Sequence, residues 1–206
     1  MPFVARLKST GARVCLEDYR NPKAELPPHD LVCQFEDCGG GLLIRSGLRV
    51  RPHFAHRPNA PCSTRLESHP ESAAHRHGKR VVAEWLRKHC EATGFVNVCI
   101  EFEVAIKEAG RVADVLVTFP SGSREAHEIQ LASITPQDLQ RRTDAYRNEG
   151  IDVVWWLGEG SSADNRANRQ WVLDQCGECV LLSFHHLAES SFDLADPSAG
   201  ASSHGR

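Results

Sequence analysis

No run of about 18 apolar residues occurs anywhere in this 206-residue chain, so it offers no transmembrane helix. The opening residues, Met1 to Leu7, lack the apolar core of a secretory signal, and a cytoplasmic location without membrane contact is expected. A strong charge of either sign is also missing. The formal net charge is −3 at pH 7, which taken alone argues weakly against a polyanionic partner. No internal repeat is present, which sets repeat architectures aside.

What is present fits a soluble globular protein. Hydrophobic residues make up 41% and charged residues 25%, and the length suffices for one domain with a small module. The charge is unevenly spread. Residues 1–90 carry 15 Lys and Arg against 9 Asp and Glu, and residues 91–206 carry 9 against 18. A basic front half suits phosphates and an acidic back half suits divalent cations, although ordinary surface variation explains the same numbers.

Eight cysteines without an export signal point to metal ligands and buried thiols rather than disulfides. Cys33, Cys38 and Cys62 lie among close histidines. Cys15, Cys90 and Cys99 fall in predicted strands or a helix, where a buried free thiol is the usual role. Cys176-Gly177-Glu178-Cys179 reads as a turn with structural thiols, because a redox motif needs a thioredoxin-like context that is absent.

Residues 3–17 alternate around Ser9-Thr10-Gly11, as a β-hairpin does, and residues 20–30 read as a loop. Cys33 to Cys62 has little periodicity, as expected where a metal replaces an apolar core, with a possible hairpin of Leu42–Ile44 and Leu48–Val50 about Ser46-Gly47. Ser68-x-x-Glu71 matches a capping box with Pro70 in the first turn, predicting a helix to about Cys90, before Gly94. Strands follow at 98–104, 111–119 and 126–131. Thr135-Pro136-x-Asp138 opens a second helix ending near Gly150. A buried strand at 151–157, a helix at 165–176 and a strand at 180–184 complete the order α-β-β-β-α-β-α-β. The expected fold is α/β, a mixed sheet flanked by helices, preceded by a small β-rich zinc-binding segment. The expected boundaries are 1–66 for that segment, 67–187 for the α/β domain and 188–206 for a disordered tail.

Asp114 and Glu128 carry the chemistry. Both lie inside apolar strands joined by a Ser-Gly turn, where a carboxylate is costly unless paired or metal-bound. A shared Mg²⁺ or Mn²⁺ removes their repulsion, and a period of two puts Gln130 on the face of Glu128. Solvent-facing residues on an edge strand are the alternative. Glu71 and His75 share the helix face of Val82 and Leu86, the buried side, and Lys79 follows on the same helix. Glu71 there either closes the capping box or joins a metal shell. His75 suits contact with phosphate or water, and Lys79 either snorkels or supplies positive charge at the site. Glu101 and Glu103 share a strand face and read as solvated, with a metal-ligand role as the other option. Cys33-x4-Cys38, His53-x2-His56 and Cys62 offer five candidates for a tetrahedral zinc, and Cys33, Cys38, His56 and Cys62 are the preferred set with His53 as alternate. Buried thiols and surface histidines are the alternative. Arg142 and Tyr146, four apart, suit a DNA phosphate or an internal Arg–carboxylate pair.

The ordered pattern resembles a known family. Arg111-x-x-Asp114 followed by Glu128-x-Gln130 resembles a PD-(D/E)XK nuclease core with Gln130 in place of lysine, and more specifically the CoiA-like competence proteins, where Glu-x-Gln is typical. His53-Phe54-Ala55-His56, Glu71-Ser72-x-x-His75-x-x-x-Lys79, Gln130 to Ile134, Arg142-x-x-x-Tyr146 and Val153 to Leu157 match its other segments in order, over roughly residues 3 to 160. The resemblance implies a restriction-endonuclease-like fold and metal-dependent cleavage of DNA phosphodiesters. Asp114, Glu128, Gln130, Glu71 and His75 would be catalytic. Lys79, Arg142 and Tyr146 would contact DNA, with structural Zn²⁺ and catalytic Mg²⁺ or Mn²⁺. The Ile129 carbonyl is a further candidate ligand. A DNA-binding or adaptor module of the same fold that does not cut is the other reading.

Overall fold

The computed structural model describes residues 3–35, 38–47, 50–58 and 72–183. The alternating N-terminal stretch forms Val4–Leu7 (β1) and Arg13–Cys15 (β2), paired antiparallel with Ala5 opposite Val14. Gly11, at φ +71°, lets the connecting turn close. The stretch expected as a loop contains one helical turn, Pro22–Glu25 (α1), started by its proline. Leu31–Val32 (β3) pairs with the free side of β1. Leu42–Gly47 (β4) and Val50–His56 (β5) form the second hairpin with Leu42 opposite His56. Ser46 and Gly47 belong to β4 rather than to the turn, and His53 to His56 extend along β5.

This front part has an apolar core of its own, built on Phe3, Val14, Leu26, Leu31, Leu42 and Phe54. The expectation that a metal replaces a core here is therefore corrected. The core residues come one or two at a time from separated short segments, so no local periodicity reveals them.

Ala73–Thr93 (α2) is capped by Ser72, whose hydroxyl accepts the His75 N–H at 3.0 Å. The described helix thus starts at Ala73. The proposed box residues Ser68, Pro70 and Glu71 lie outside the described residues, as do Cys62 and the tail from Ala188. Gly94, at φ +78°, ends the helix. Cys99–Ile106 (β6), Arg111–Thr118 (β7), Arg124–Gln130 (β8), Pro136–Arg147 (α3), Ile151–Gly158 (β9), Arg166–Cys176 (α4) and Val180–Leu182 (β10) follow in the expected order. The five-stranded sheet runs β10-β9-β8-β7-β6. β6, β7 and β8 are antiparallel neighbours, and β8, β9 and β10 are parallel.

Val82, Leu86, Val115, Val117, Ile129 and Trp156 bury one face of the sheet under α2. Leu116, Leu139, Tyr146, Trp155, Leu157 and Val172 bury the other under α3 and α4. The mixed α/β sheet flanked by helices is thus as expected. The front part packs against edge strand β6. Phe3 meets Phe102 edge-on at 5.3 Å between ring centroids, and the Arg13 guanidinium donates to the Phe102 carbonyl.

The cysteine expectations divide. Burial pushes the Cys15 thiol up to about 12, and Cys90 is buried, but Cys99 is exposed. Burial also raises the pKa of the Cys176 and Cys179 thiols, both of which are half-buried. No helix among the described residues is long and apolar enough to cross a membrane.

Candidate functional site

The β7–β8 ladder runs from Thr118 opposite Arg124 to Val115 opposite His127. At the next position the rungs pass to side chains. The Ile129 N–H donates to Asp114 Oδ2 at 2.9 Å, and the Asp114 N–H donates to Glu128 Oε1 at 3.4 Å. Each carboxylate thereby satisfies a backbone donor of the opposite strand. Glu128 is 1% exposed and Asp114 9%, so both acids are interior groups.

A different helix grips each acid, in both cases through residues one turn apart. From α2, Lys79 Nζ lies 3.0 Å from Asp114 Oδ1 and His75 Nε2 lies 3.0 Å from Oδ2. Burial alone raises the Asp114 pKa, but Lys79, His75 and the Ile129 N–H outweigh it and hold the carboxyl well below the usual carboxylate range. Since Asp114 is ionised, His75 Nε2 carries the shared proton. From α3, Tyr146 donates its hydroxyl to Glu128 Oε1 at 2.8 Å, and Arg142 donates to Oε2. Burial and the Glu128 charge push the Tyr146 phenol far up, so it stays a donor. Burial opposes the Arg142 charge, but Glu128 prevails and raises its pKa. Arg142 also lies over the Trp155 ring, 4.8 Å from its centroid, and donates to Gln130 Oε1 at 3.0 Å. The Gln130 amide donates in turn to the Ala132 carbonyl at 2.8 Å.

Repulsion between the two acids is thus relieved by Lys79 and Arg142 within the protein, without requiring a shared cation. The expected DNA contacts of Lys79 and Tyr146 do not fit this geometry. Both side chains are buried and bonded to carboxylates, and for Arg142 and Tyr146 the internal Arg–carboxylate pair is the arrangement observed. Lys79 does not snorkel. Gln130 has its carbonyl and one amide hydrogen engaged, which leaves one N–H for a water. Glu71 lies outside the described residues.

Glu103 corrects the expectation of a solvated pair with Glu101. It is 6% exposed, with Oε1 3.3 Å from Lys79 Nζ and Oε2 accepting the Phe3 N–H at 3.2 Å. Its φ of +51° is a left-handed conformation that costs a glutamate on the order of 1 kcal/mol. Glu101 is partly exposed beside Arg13. Nothing in the sequence marks that backbone angle, so the role of Glu103 was not visible there.

A second cluster lies in the front part. Cys33, Cys38 and His56 bring Sγ, Sγ and a ring nitrogen within 4.8 Å of one another, and Cys38 Sγ is 3.3 Å from His56 Nε2. The Cys38 N–H donates to the Phe35 carbonyl, and Gly39, at φ +52°, turns the chain back toward β4. His53 is buried but outside the cluster. It lies three positions before His56 along β5, so the strand's period of two turns it to the other face. The anticipated fourth ligand, Cys62, is outside the described residues.

Two measurements test this electrostatic frame. Arg142→Ala leaves Glu128 buried without its cation and is expected to cost about 3–5 kcal/mol in urea unfolding. A loss under about 1 kcal/mol would mean that Glu128 is effectively solvated. The depressed Asp114 pKa contributes stability that is present above the unfolded value of about 3.9 and is lost as pH falls through the lower folded value. Unfolding followed below pH 4 is therefore expected to show an acid-labile component that Asp114→Asn reduces.

Residues 71–192, more than half the chain, match the family described as competence protein CoiA, nuclease-like domain. Competence protein CoiA of Bacillus subtilis (strain 168) is 36% identical over 121 residues, which cover 59% of this chain but only 30% of that protein. Among solved structures, a repair endonuclease from Pyrococcus abyssi aligns with 69% of this chain and 65% of its own at 15% identity and a TM-score of 0.30. An EndoMS–dsDNA complex aligns over the same shares at 17% identity and a TM-score of 0.28. The strand fork with its paired acids, the two gripping helices and the matched residues together place this chain in the CoiA family, as a carrier of its nuclease-like domain.

Proposed function

We propose that this chain hydrolyses DNA phosphodiester bonds with the help of Mg²⁺ or Mn²⁺ at Asp114 and Glu128. The observation that carries the reading is the fork between β7 and β8, where two buried, backbone-bonded carboxylates lie beside two cations and a partly exposed histidine. The donor set fits a hard divalent ion. Asp114 and Glu128 each accept from three named donors, leaving about one of four lone-pair positions on each carboxylate. Mg²⁺ commonly takes one or two carboxylates from a protein and completes its shell with water and phosphate. Such an ion would supply Lewis-acid activation of water and neutralisation of phosphate charge.

The chain's own groups have separate parts. Lys79 and His75 keep Asp114 ionised, so it is a ligand at any neutral pH. Tyr146 and Arg142 fix the orientation of Glu128. Lys79 also places beside Asp114 the positive charge that Gln130 does not carry. His75, with 26% of its side chain accessible, is the member of the set best placed to meet a phosphate oxygen or a water. Cys33, Cys38 and His56 would hold a structural zinc with Cys62 as fourth ligand, two thiolates and an imidazole being donors that suit zinc. The second reading, a DNA-binding or adaptor module that does not cut, draws on the engagement of Gln130 with Arg142 and Ala132 and on the internal neutralisation of both acids.

Cleavage of supercoiled plasmid separates the two. With Mg²⁺ or Mn²⁺ the wild-type chain is expected to nick or linearise DNA. Asp114→Ala and Glu128→Ala, checked for folding by circular dichroism, are expected to lose cutting while binding DNA as well or better, since each removes a negative charge. Gln130→Lys retains part of the activity. No cleavage by the wild type on any DNA form selects the binding module, and unchanged cleavage by both alanine variants dismisses the site.

Elemental analysis of protein purified without added metal is expected to find one zinc per chain. His56→Ala and Cys38→Ala lose it and His53→Ala keeps it; the reverse order for the histidines would reassign the ligand.

A further inference from the structure

Glu103 stands out on three independent grounds. Its backbone is left-handed in the middle of a strand, a conformation that asparagine adopts readily, as Asn97 does here, and glutamate does not. Its carboxylate is buried. Its two oxygens serve two elements, Lys79 of α2 through Oε1 and the Phe3 N–H at the entry to β1 through Oε2. The register of β6 on β7, with Phe102 opposite Val115 and Val104 opposite Ala113, puts Glu103 level with Asp114. The Lys79 ammonium therefore lies between two acids on neighbouring strands, 3.0 Å from one and 3.3 Å from the other, with the Phe3 ring 5.5 Å beneath it.

A lysine bound to Asp114 alone is free to swing about that carboxylate. Held from both sides, it has one position. Glu103 acts on the site through Lys79, whose ammonium it shares with Asp114. The strained backbone is what brings its side chain to that place, and strain of this kind persists only where surrounding contacts over-determine it.

We propose that Glu103 is a positioning residue, which fixes the Lys79 ammonium against Asp114 and makes that placement depend on the seating of Phe3. This rests on the reading of Asp114 and Lys79 as part of a phosphodiesterase centre. Glu103 is buried, so its effect is expected on cleavage rather than through direct contact with DNA.

The test compares Glu103→Gln and Glu103→Asp in the full chain. Plasmid cleavage by Glu103→Gln is expected to fall about 10- to 100-fold at saturating Mg²⁺, as a misplaced catalytic group does. The alkaline limb of its pH–rate profile should move to lower pH, because removing an acid beside an ammonium lowers the ammonium pKa. Glu103→Asp keeps the charge and tolerates the backbone angle, so it should fall between Glu103→Gln and wild type in both respects. If Glu103→Gln does not fold, Glu103→Asp carries the test alone. Cleavage within twofold of wild type with an unmoved alkaline limb overturns the proposal. The Lys79 side-chain pKa, followed by NMR with the signal identified by its loss in Lys79→Met, gives a readout that needs no activity. A fall in Glu103→Gln supports the placement even if the wild-type chain cuts nothing, in which case only the phosphodiesterase reading fails. An unchanged value overturns the placement whatever the activity.

Discussion

Where β7 and β8 stop pairing through their backbones, the sheet faces a problem that every splayed pair of strands faces: amide donors are buried with no carbonyl opposite. Asp114 and Glu128 solve it reciprocally, each carboxylate accepting an N–H from the other strand. The exchange fixes both acids in the interior at the cost of two buried charges, and those charges then dictate what the flanking helices must carry. The α2 pair of His75 and Lys79 and the α3 pair of Arg142 and Tyr146 are answers to that demand. The fork is thus both a structural joint and the place where chemistry is possible.

The two acids are treated differently. Asp114 has a cationic and an imidazole partner and is the more exposed, so its surroundings favour an ionised group open to a ligand. Glu128 is sealed by a phenol, a guanidinium and a backbone amide, with Trp155 beneath the guanidinium. Stability and function are entangled here, since every group that orients an acid also neutralises it.

Much of this was legible in the amino-acid order, and the parts that were not have physical reasons. The α-β-β-β-α-β-α-β succession was readable because each element has a strong period and a clear stop, such as Gly94 after α2 or Thr135-Pro136 before α3. Asp114 and Glu128 were visible because charge inside an apolar strand is unusual. His75 was visible as a polar residue on the buried face of α2, whereas only the structure shows that Lys79 is buried rather than snorkelling. The front part was read less well. Its core is assembled from β1, β2, α1, β3, β4 and β5, each too short to show a pattern, and the cysteine and histidine content suggested a metal in place of that core. Of the two histidines offered as ligands, His56 lies with Cys33 and Cys38, and the three-residue offset along β5 puts His53 on the other face. Glu103 escaped because its importance lies in a backbone angle, which sequence alternation does not encode.

The docking of the front part on β6 has a consequence for how the protein behaves in solution. Open sheets present unpaired amides along their outer strands, and these invite pairing with a neighbouring molecule. One border of this sheet, β10, is only three residues long. The other, β6, is eight residues long but is obstructed midway, where Arg13 occupies the Phe102 carbonyl and the left-handed Glu103 breaks the run. The N-terminal strands therefore serve as a guard against self-association as well as a wall of the site. Loosening them would bare the middle of β6 as a template for intermolecular β-pairing.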